Sequence, residues 1–132
     1  MKLIDKLAWI HLQDKRILSV RSHGKERFYM PGGKREENES DAEALIREIK
    51  EELMVDLIPE TLKFADIFEA PADGRAEGVT VRLTCYFGEY TGNLQPSSEI
   101  AEFAWLTYDD KDKISAANLL VFDWLEEKGL LS

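Results

Sequence analysis

The stretch GKREENESDAEALIREIKEELMV, residues 33–55, decides how this chain is read. Within it, Ser40-Asp41-Ala42-Glu43 has the Ser-x-x-Glu pattern of a capping box. In that motif the serine hydroxyl and the glutamate carboxylate each take a backbone N–H left open at a helix start. The spacing predicts a helix from Asp41 to about Met54, and Pro59 forbids a long continuation. At 3.6 residues per turn, with Glu48 at zero, Glu52 falls near ~40° and Glu51 near about −60°. Leu45, Ile49, Ala42, Leu53 and Ile46 fall between roughly 60° and 160°, the stripe that packs on a sheet. Three carboxylates therefore crowd the margin of the buried face, with Ala44 leaving room beside them. Glutamates four apart on a helix repel by about 0.2–0.5 kcal/mol. A hard divalent cation reverses that sign, because it takes carboxylate oxygens together with waters and phosphate oxygens. The plainer alternative is a solvated acidic face compensated by Lys34, Arg35, Arg47 and Lys50.

Outward from the helix, Phe28-Tyr29-Met30 runs into Pro31-Gly32-Gly33, where a backbone turn is expected. Lys6 to Leu12 and Arg16 to Ser22, separated by Gln13-Asp14-Lys15, read as an amino-terminal β-hairpin. A polar loop with Gly24 follows it. On the other side, Leu62 to Phe68 and Val79 to Tyr90 read as strands joined by a loop from Ala72 to Gly78. A further loop runs from Thr91 through Ser98 and leads into a strand from Ile100 to Thr107. Ser115 is placed to cap a second helix carrying Leu119, Leu120, Phe122 and Leu125, with Gly129 as its stop. Strands mixed with two separated helices predict one α+β domain over residues 1–132, a mixed β-sheet covered by helices.

Composition agrees with one domain. The chain has 132 residues, of which 44% are hydrophobic and 10% aromatic, which excludes disorder as the main reading. No apolar run approaches the roughly 18 residues a membrane helix needs, so no membrane partner is expected. Cys85 is the single cysteine and has no internal disulfide partner, so a reducing, cytoplasmic location is expected. Lys and Arg number 17 against 26 Asp and Glu, a net charge of −9 with a pI near 4.7. That balance argues against a grip on a nucleic-acid polymer, which calls for a basic face. It suits clustered carboxylates that hold a cation and through it a phosphorylated ligand.

Reading forward, Gly33 is followed by five residues and Glu39, then seven residues and Arg47-Glu48, then Ile49, Lys50 and Glu51-Glu52. This resembles the Nudix box, glycine-x5-Glu-x7-Arg-Glu-apolar-x-Glu-Glu-x-Gly-apolar, and the chain is similar to the small, single-domain MutT-like members of the Nudix hydrolase family. One position departs. The family has a glycine where Met54 stands, at a helix end that commonly needs a left-handed backbone. Met54 therefore implies a different helix exit or a tolerated strain, and removes no metal ligand.

The resemblance implies an α/β/α sandwich with its mixed sheet between helices. It also implies a pyrophosphohydrolase that uses Mg²⁺, with Mn²⁺ as a substitute. Glu48 and Glu52 are then the principal metal ligands, Glu51 completes the set directly or through water, and the backbone carbonyl of Gly32 joins them. Arg47 orients the glutamates, Gly33 makes the turn, and Glu39 braces the loop. The general base is Glu48 on the helix or Glu99 in the loop before the last strand. MutT-like members carry a metal-site glutamate six residues before a tryptophan, and Glu99 stands six before Trp105; Glu102 is a stand-in. Asn118, near the start of the last helix, is either a base reader, as in the MutT-like mutator enzyme, or a helix cap. Arg21 is a candidate for a phosphate or base contact, or else a surface residue. Phe28 and Tyr29 are placed to stack on a base or to pack on the core. Trp105, Trp124, Phe122 and Cys85 read as core, and His11 and His23 as structural or exposed.

The expected reaction is attack of a metal-activated water on a nucleoside triphosphate, including an oxidised one of the 8-oxo-dGTP kind, giving the monophosphate and pyrophosphate. ADP-ribose or nucleotide-sugar hydrolysis is the alternative within the enzyme class, and a non-catalytic nucleotide-binding module the alternative outside it. The expected partner is a small nucleotide, and the expected state a monomer or homodimer.

Overall fold

The computed structural model describes residues 2–71 and 78–132. Nearly all of the Ala72 to Gly78 loop expected from sequence lies outside the described residues. The element order is β1 (Lys2–Ile10), β2 (Leu12–Gln13), β3 (Arg16–Ser22), β4 (Gly32–Lys34), α1 (Asp41–Leu53), β5 (Asp56–Leu57), β6 (Lys63–Pro71), β7 (Val79–Phe87), β8 (Tyr90–Thr91), β9 (Ile100–Leu106) and α2 (Ala116–Glu127). Two 3₁₀ turns, Pro59–Thr61 and Tyr108–Lys113, complete it.

A mixed sheet runs in the order β4-β1-β7-β6, with β1 and β7 parallel and the other pairs antiparallel. A second, antiparallel sheet runs β2-β3-β9, and β5 pairs with β8. Strand alternation sends successive side chains to opposite faces. Along β1, Leu7 and Trp9 join the core under α1, while Ala8 and Ile10 join the core under α2. Helices thus cover both sides, which is the α/β/α sandwich expected. Phe122, Val121 and Leu125 anchor α2 in one core, and Leu45, Ile49 and Leu53 anchor α1 in the other.

The amino-terminal hairpin is shorter than the sequence suggests. Asp14 and Lys15 turn with φ of 52° and 60°, the positive pair that a two-residue hairpin turn requires. Leu12↔Ile17 and Gln13↔Arg16 pair across it, and the Leu18 N–H donates to the His11 carbonyl at 2.9 Å. Beyond them β1 pairs with β7 and β4, while β3 pairs with β9. Leu7 to Ile10 are all buried, so β1 needs a central place with both faces covered, and a two-stranded ribbon does not provide one.

The expected turn at Pro31-Gly32-Gly33 is instead the start of β4, with Ala8↔Gly32 and Leu7↔Gly33 in register. Gly32 has φ of 148°, and a Cβ there would collide with the Leu7 carbonyl. The glycine serves close strand approach, not reversal. The strand expected to reach Tyr90 stops at Phe87; the Gly88 carbonyl then accepts the Trp9 indole N–H at 3.0 Å.

Helix α1 starts as expected. Ser40 Oγ accepts the Glu43 N–H at 3.1 Å, and Glu43 Oε1 accepts the Ser40 N–H at 2.9 Å. It ends in a left-handed residue, Met54 at φ 62°, whose N–H reaches the Lys50 carbonyl. The helix therefore leaves as if a glycine stood there, and the strain is borne. Ala44 leaves no space beside the carboxylates, because it is fully buried in the α1 core. Cys85 is buried as expected, and burial pushes its thiol up to about 12. No helix among the described residues is long and apolar enough to cross a membrane.

Candidate active site

Two connected clefts meet at the end of β4. The smaller, about 340 Å³, is lined by Lys6, Tyr29, Lys34, Glu48, Glu52 and Glu99, with Gly32 and Gly33. The larger, about 730 Å³, extends from Lys6 and Tyr29 past Phe28, Met30 and Leu83 to Asn118.

Glu52 sits at the inner end of the smaller cleft, only 2% exposed. Its Oε1 accepts the Gly32 N–H at 2.9 Å. Burial, opposed by that bond and reinforced by the charges of Glu48 and Glu99, pushes its carboxyl up to about 8. Glu48, one turn earlier, is held above the ordinary carboxylate range by burial, which Arg47 opposes and Glu51 and Glu99 reinforce. Gly33 lies directly beneath Glu48, and a Cβ there would strike its carboxylate.

Arg47 organises the rim. Its Nε donates to Glu39 Oε2 at 2.7 Å and its Nη2 to Glu39 Oε1 at 2.9 Å, a two-point clamp. Its Nη1 donates to Glu48 Oε1 at 2.8 Å and reaches Glu51 at 3.4 Å, while Nη2 also meets the Lys34 carbonyl. Hydrogen bonding from Arg47, then from the Glu36 N–H, holds Glu39 down at about 2. Glu39 thus ties the 34–39 loop to α1 through Arg47.

The loop carrying Glu99 is fastened to the end of the same helix. The N–H groups of Gln95 and Ser97 donate to the Leu53 and Glu52 carbonyls, both at 2.9 Å. The His23 N–H donates to the Glu99 carbonyl at 2.8 Å. These bonds set Glu99 against both clefts, facing the helix carboxylates.

The structure brings Glu48, Glu52, Glu99, Gly32 and Gly33 together, with Arg47 and Glu39 behind them. Glu51 does not join the cleft lining: its side chain is 52% exposed on the outer side of Arg47. The shared sector seen in the sequence is really a gradient from buried Glu52 to solvated Glu51. Arg21 is also elsewhere, paired across β3 and β9 with Glu102 at 2.6 Å and bonded to the Lys25 carbonyl. That pair also takes Glu102 out of contention as a stand-in for Glu99.

Phe28 and Asn118 do line the larger cleft. Phe28 packs on the α2 core and bridges to Ile114. Asn118 is neither the helix cap nor unengaged: Ser115 holds the cap position, and Asn118 Oδ1 accepts the Met30 N–H at 2.9 Å. Its Nδ2 donates to Ser115 Oγ at 2.5 Å. One amide N–H remains for a ligand. His11 is structural, stacked on Trp9 and edged by Tyr90, and burial lowers its pKa.

One residue expected to stack or pack, and one that escaped the sequence reading of the site, also belong to the clefts. Tyr29 lines both, its hydroxyl 2.5 Å from Ser22 Oγ, and burial pushes it up to about 12. Lys6 also lines both. Its signal was present in the sequence as a lysine at a position where β1 alternation calls for an apolar side chain.

No group of three or more His, Cys, Asp or Glu among the described residues closes into a ready-made cation cage. The donor chemistry nevertheless fits a hard divalent ion. Glu48 and Glu99 both raise the proton affinity of buried Glu52, and the bare backbone at Gly33 leaves the Glu48 carboxylate room against β4.

A family model described as NUDIX domain matches residues 6–125. A search of curated proteins returns no match. Among solved structures, a MutT NUDIX hydrolase from Burkholderia pseudomallei superposes with a TM-score of 0.77 at 20% identity, covering 93% of this chain and 98% of that one. An E. coli dihydroneopterin triphosphate pyrophosphohydrolase gives 0.73 at 20%, covering 96% and 97%. A UDP-X diphosphatase gives 0.73 at 19%, covering 98% of this chain and 64% of that one. These likenesses show a shared fold across proteins named for different substrates.

Proposed function

The chain belongs to the Nudix hydrolase family, whose members cleave diphosphate linkages with divalent metal ions, and from that premise we propose a Mg²⁺-dependent pyrophosphohydrolase acting on a nucleoside triphosphate. The products are the nucleoside monophosphate and pyrophosphate, and an oxidised base of the 8-oxo-dGTP kind falls within the proposal. The observation that carries it is the pairing of the two clefts: carboxylates at one end, and a larger cleft of mixed lining with Phe28, Met30, Leu83 and the Asn118 amide at the other.

Glu48 and Glu52 would hold the cation, with Glu99 and the Gly32 carbonyl beside them and Glu51 contributing through water. When bound, the ion neutralises phosphate oxygens and acidifies the attacking water. Glu48 or Glu99 takes the proton from that water. Arg47 keeps Glu48 oriented, and Glu39 keeps Arg47 in place. Phe28 offers its ring to a flat base, and Asn118 offers its remaining N–H to the base edge. Arg21, committed to Glu102, takes no part in the proposed site.

The test is product release from a panel of ordinary and oxidised nucleoside triphosphates, ADP-ribose and nucleotide sugars, with and without Mg²⁺. Metal-dependent pyrophosphate release from a triphosphate supports the proposal. Turnover of ADP-ribose or a nucleotide sugar alone, giving a nucleoside monophosphate and a sugar phosphate, replaces it.

A further inference from the structure

Five residues line both clefts: Lys6, Tyr29, Gly32, Gly33 and Glu99, and Lys6 is the one cation among them. It lies on β1, opposite Lys34 on β4 and Leu83 on β7, so its backbone is fixed on both sides by strand pairing. Its alternation partners Ile4 and Ala8 are buried and line the larger cleft. The Lys6 charge reaches the Glu52 carboxylate and favours the ionised form. A fixed positive charge beside carboxylates weakens their hold on a divalent cation, so cation binding alone gives this lysine no advantage. That repulsion is offset when a ligand brings several negative charges past this point.

We infer that Lys6 binds the substrate's diphosphate where it passes from the carboxylate cleft into the larger cleft. This rests on the reading of the chain as a diphosphate hydrolase. The ammonium group donates to non-bridging phosphate oxygens on the organic side of the scissile linkage, and so fixes which part of the ligand faces Glu48, Glu52 and Glu99. The remainder of the substrate is directed along Leu83 and Phe28 toward Asn118. Lys25, which lines the larger cleft but not the carboxylate cleft, serves as the control.

The experiment is calorimetric titration with Mn²⁺ alone, then with inorganic pyrophosphate at saturating Mn²⁺. The proteins are the wild type, Lys6→Met, Lys6→Arg and Lys25→Met. Loss of a charge-assisted hydrogen bond predicts pyrophosphate binding about 10-fold to 100-fold weaker in Lys6→Met. Its Mn²⁺ affinity should be unchanged or tighter, because a repelling charge is gone. Lys6→Arg and Lys25→Met should each stay within about threefold of wild type for pyrophosphate, since neither removes the cation at this point. The inference is overturned if Lys6→Met binds pyrophosphate like wild type, if it loses Mn²⁺ in parallel, or if the wild type binds no pyrophosphate. Lys6-dependent pyrophosphate binding without hydrolysis of any nucleotide would instead sink the proposed reaction and leave Lys6 standing. Hydrolysis with Lys6-independent pyrophosphate binding would do the reverse.

Discussion

The backbone N–H of Gly32 donates to Glu52 Oε1 at 2.9 Å, so the short strand β4 is bonded to the carboxylate buried deepest on α1. A glutamine at 52 keeps that acceptor and loses only the charge. Glu52→Gln is therefore expected to fold normally and to lose about 10²-fold or more in hydrolysis, since it removes a negative charge proposed to hold the cation that neutralises phosphate. Unchanged turnover by the purified variant would place the metal site elsewhere.

Glu52 also sets a pH dependence in the metal-free protein. Its carboxyl, pushed up to about 8 from an ordinary value of 4.5, binds its proton more tightly folded than unfolded. Its contribution is thus fully present below pH 4.5 and is lost as pH rises through about 8. Thermal unfolding in chelator should show Tm falling over that window, and Glu52→Gln should flatten the slope. Added Mn²⁺ should raise Tm most at the alkaline end, because it binds the ionised folded form.

Met54 gives a test of strain without chemistry. It holds φ of 62° at the helix end and is 47% exposed, so little packing depends on its side chain. Met54→Gly is expected to stabilise the fold by about 0.5–1 kcal/mol, relief of the left-handed cost less the added freedom of the unfolded chain. Chemical denaturation reads this directly. A destabilised variant would mean that the Met54 side chain packs to more effect than its exposure suggests.

Gly33→Ala probes the floor beneath Glu48. The added methyl meets the end of a side chain that can rotate, so the fold should survive while Glu48 is displaced. A displacement of about 1 Å predicts roughly 10²-fold slower hydrolysis with Tm nearly unchanged. Normal activity would show that Glu48 works equally well in another rotamer.

Asn118→Ala strips the buried Met30 N–H of its acceptor. The expected cost is about 1–3 kcal/mol of stability, the desolvation penalty of an orphaned amide. A purely base-reading asparagine would lose substrate selectivity and leave the denaturation midpoint where it was.

Much of this site was legible because it is local. The capping box, the apolar stripe and the spacing from Gly33 to Glu52 all concern one helix and the loop before it, where sequence distance sets spatial distance. The pairing of β1 with β7 was not legible, since two buried strands far apart in sequence leave no mark of their mutual register. Glu51 looked equivalent to Glu48 on a helical projection, which gives angle but not the height of neighbouring walls. Arg21 and Glu102 are directly opposite in β3 and β9, a cross-strand pair that shows only when both strands are in place. Lys6 was legible in principle, as the break in an alternating row.

The two clefts share five residues, but different stretches of chain complete each of them. Helix α1, β4 and the 95–99 loop furnish the carboxylate end, while residues 24–30 and 115–118 furnish most of the far end of the larger one. A lineage can therefore revise the organic half of its ligand by exchanges in those outer segments, while the anhydride-cleaving half is inherited intact. Selection on diet and selection on chemistry then act on separate parts of one small gene product.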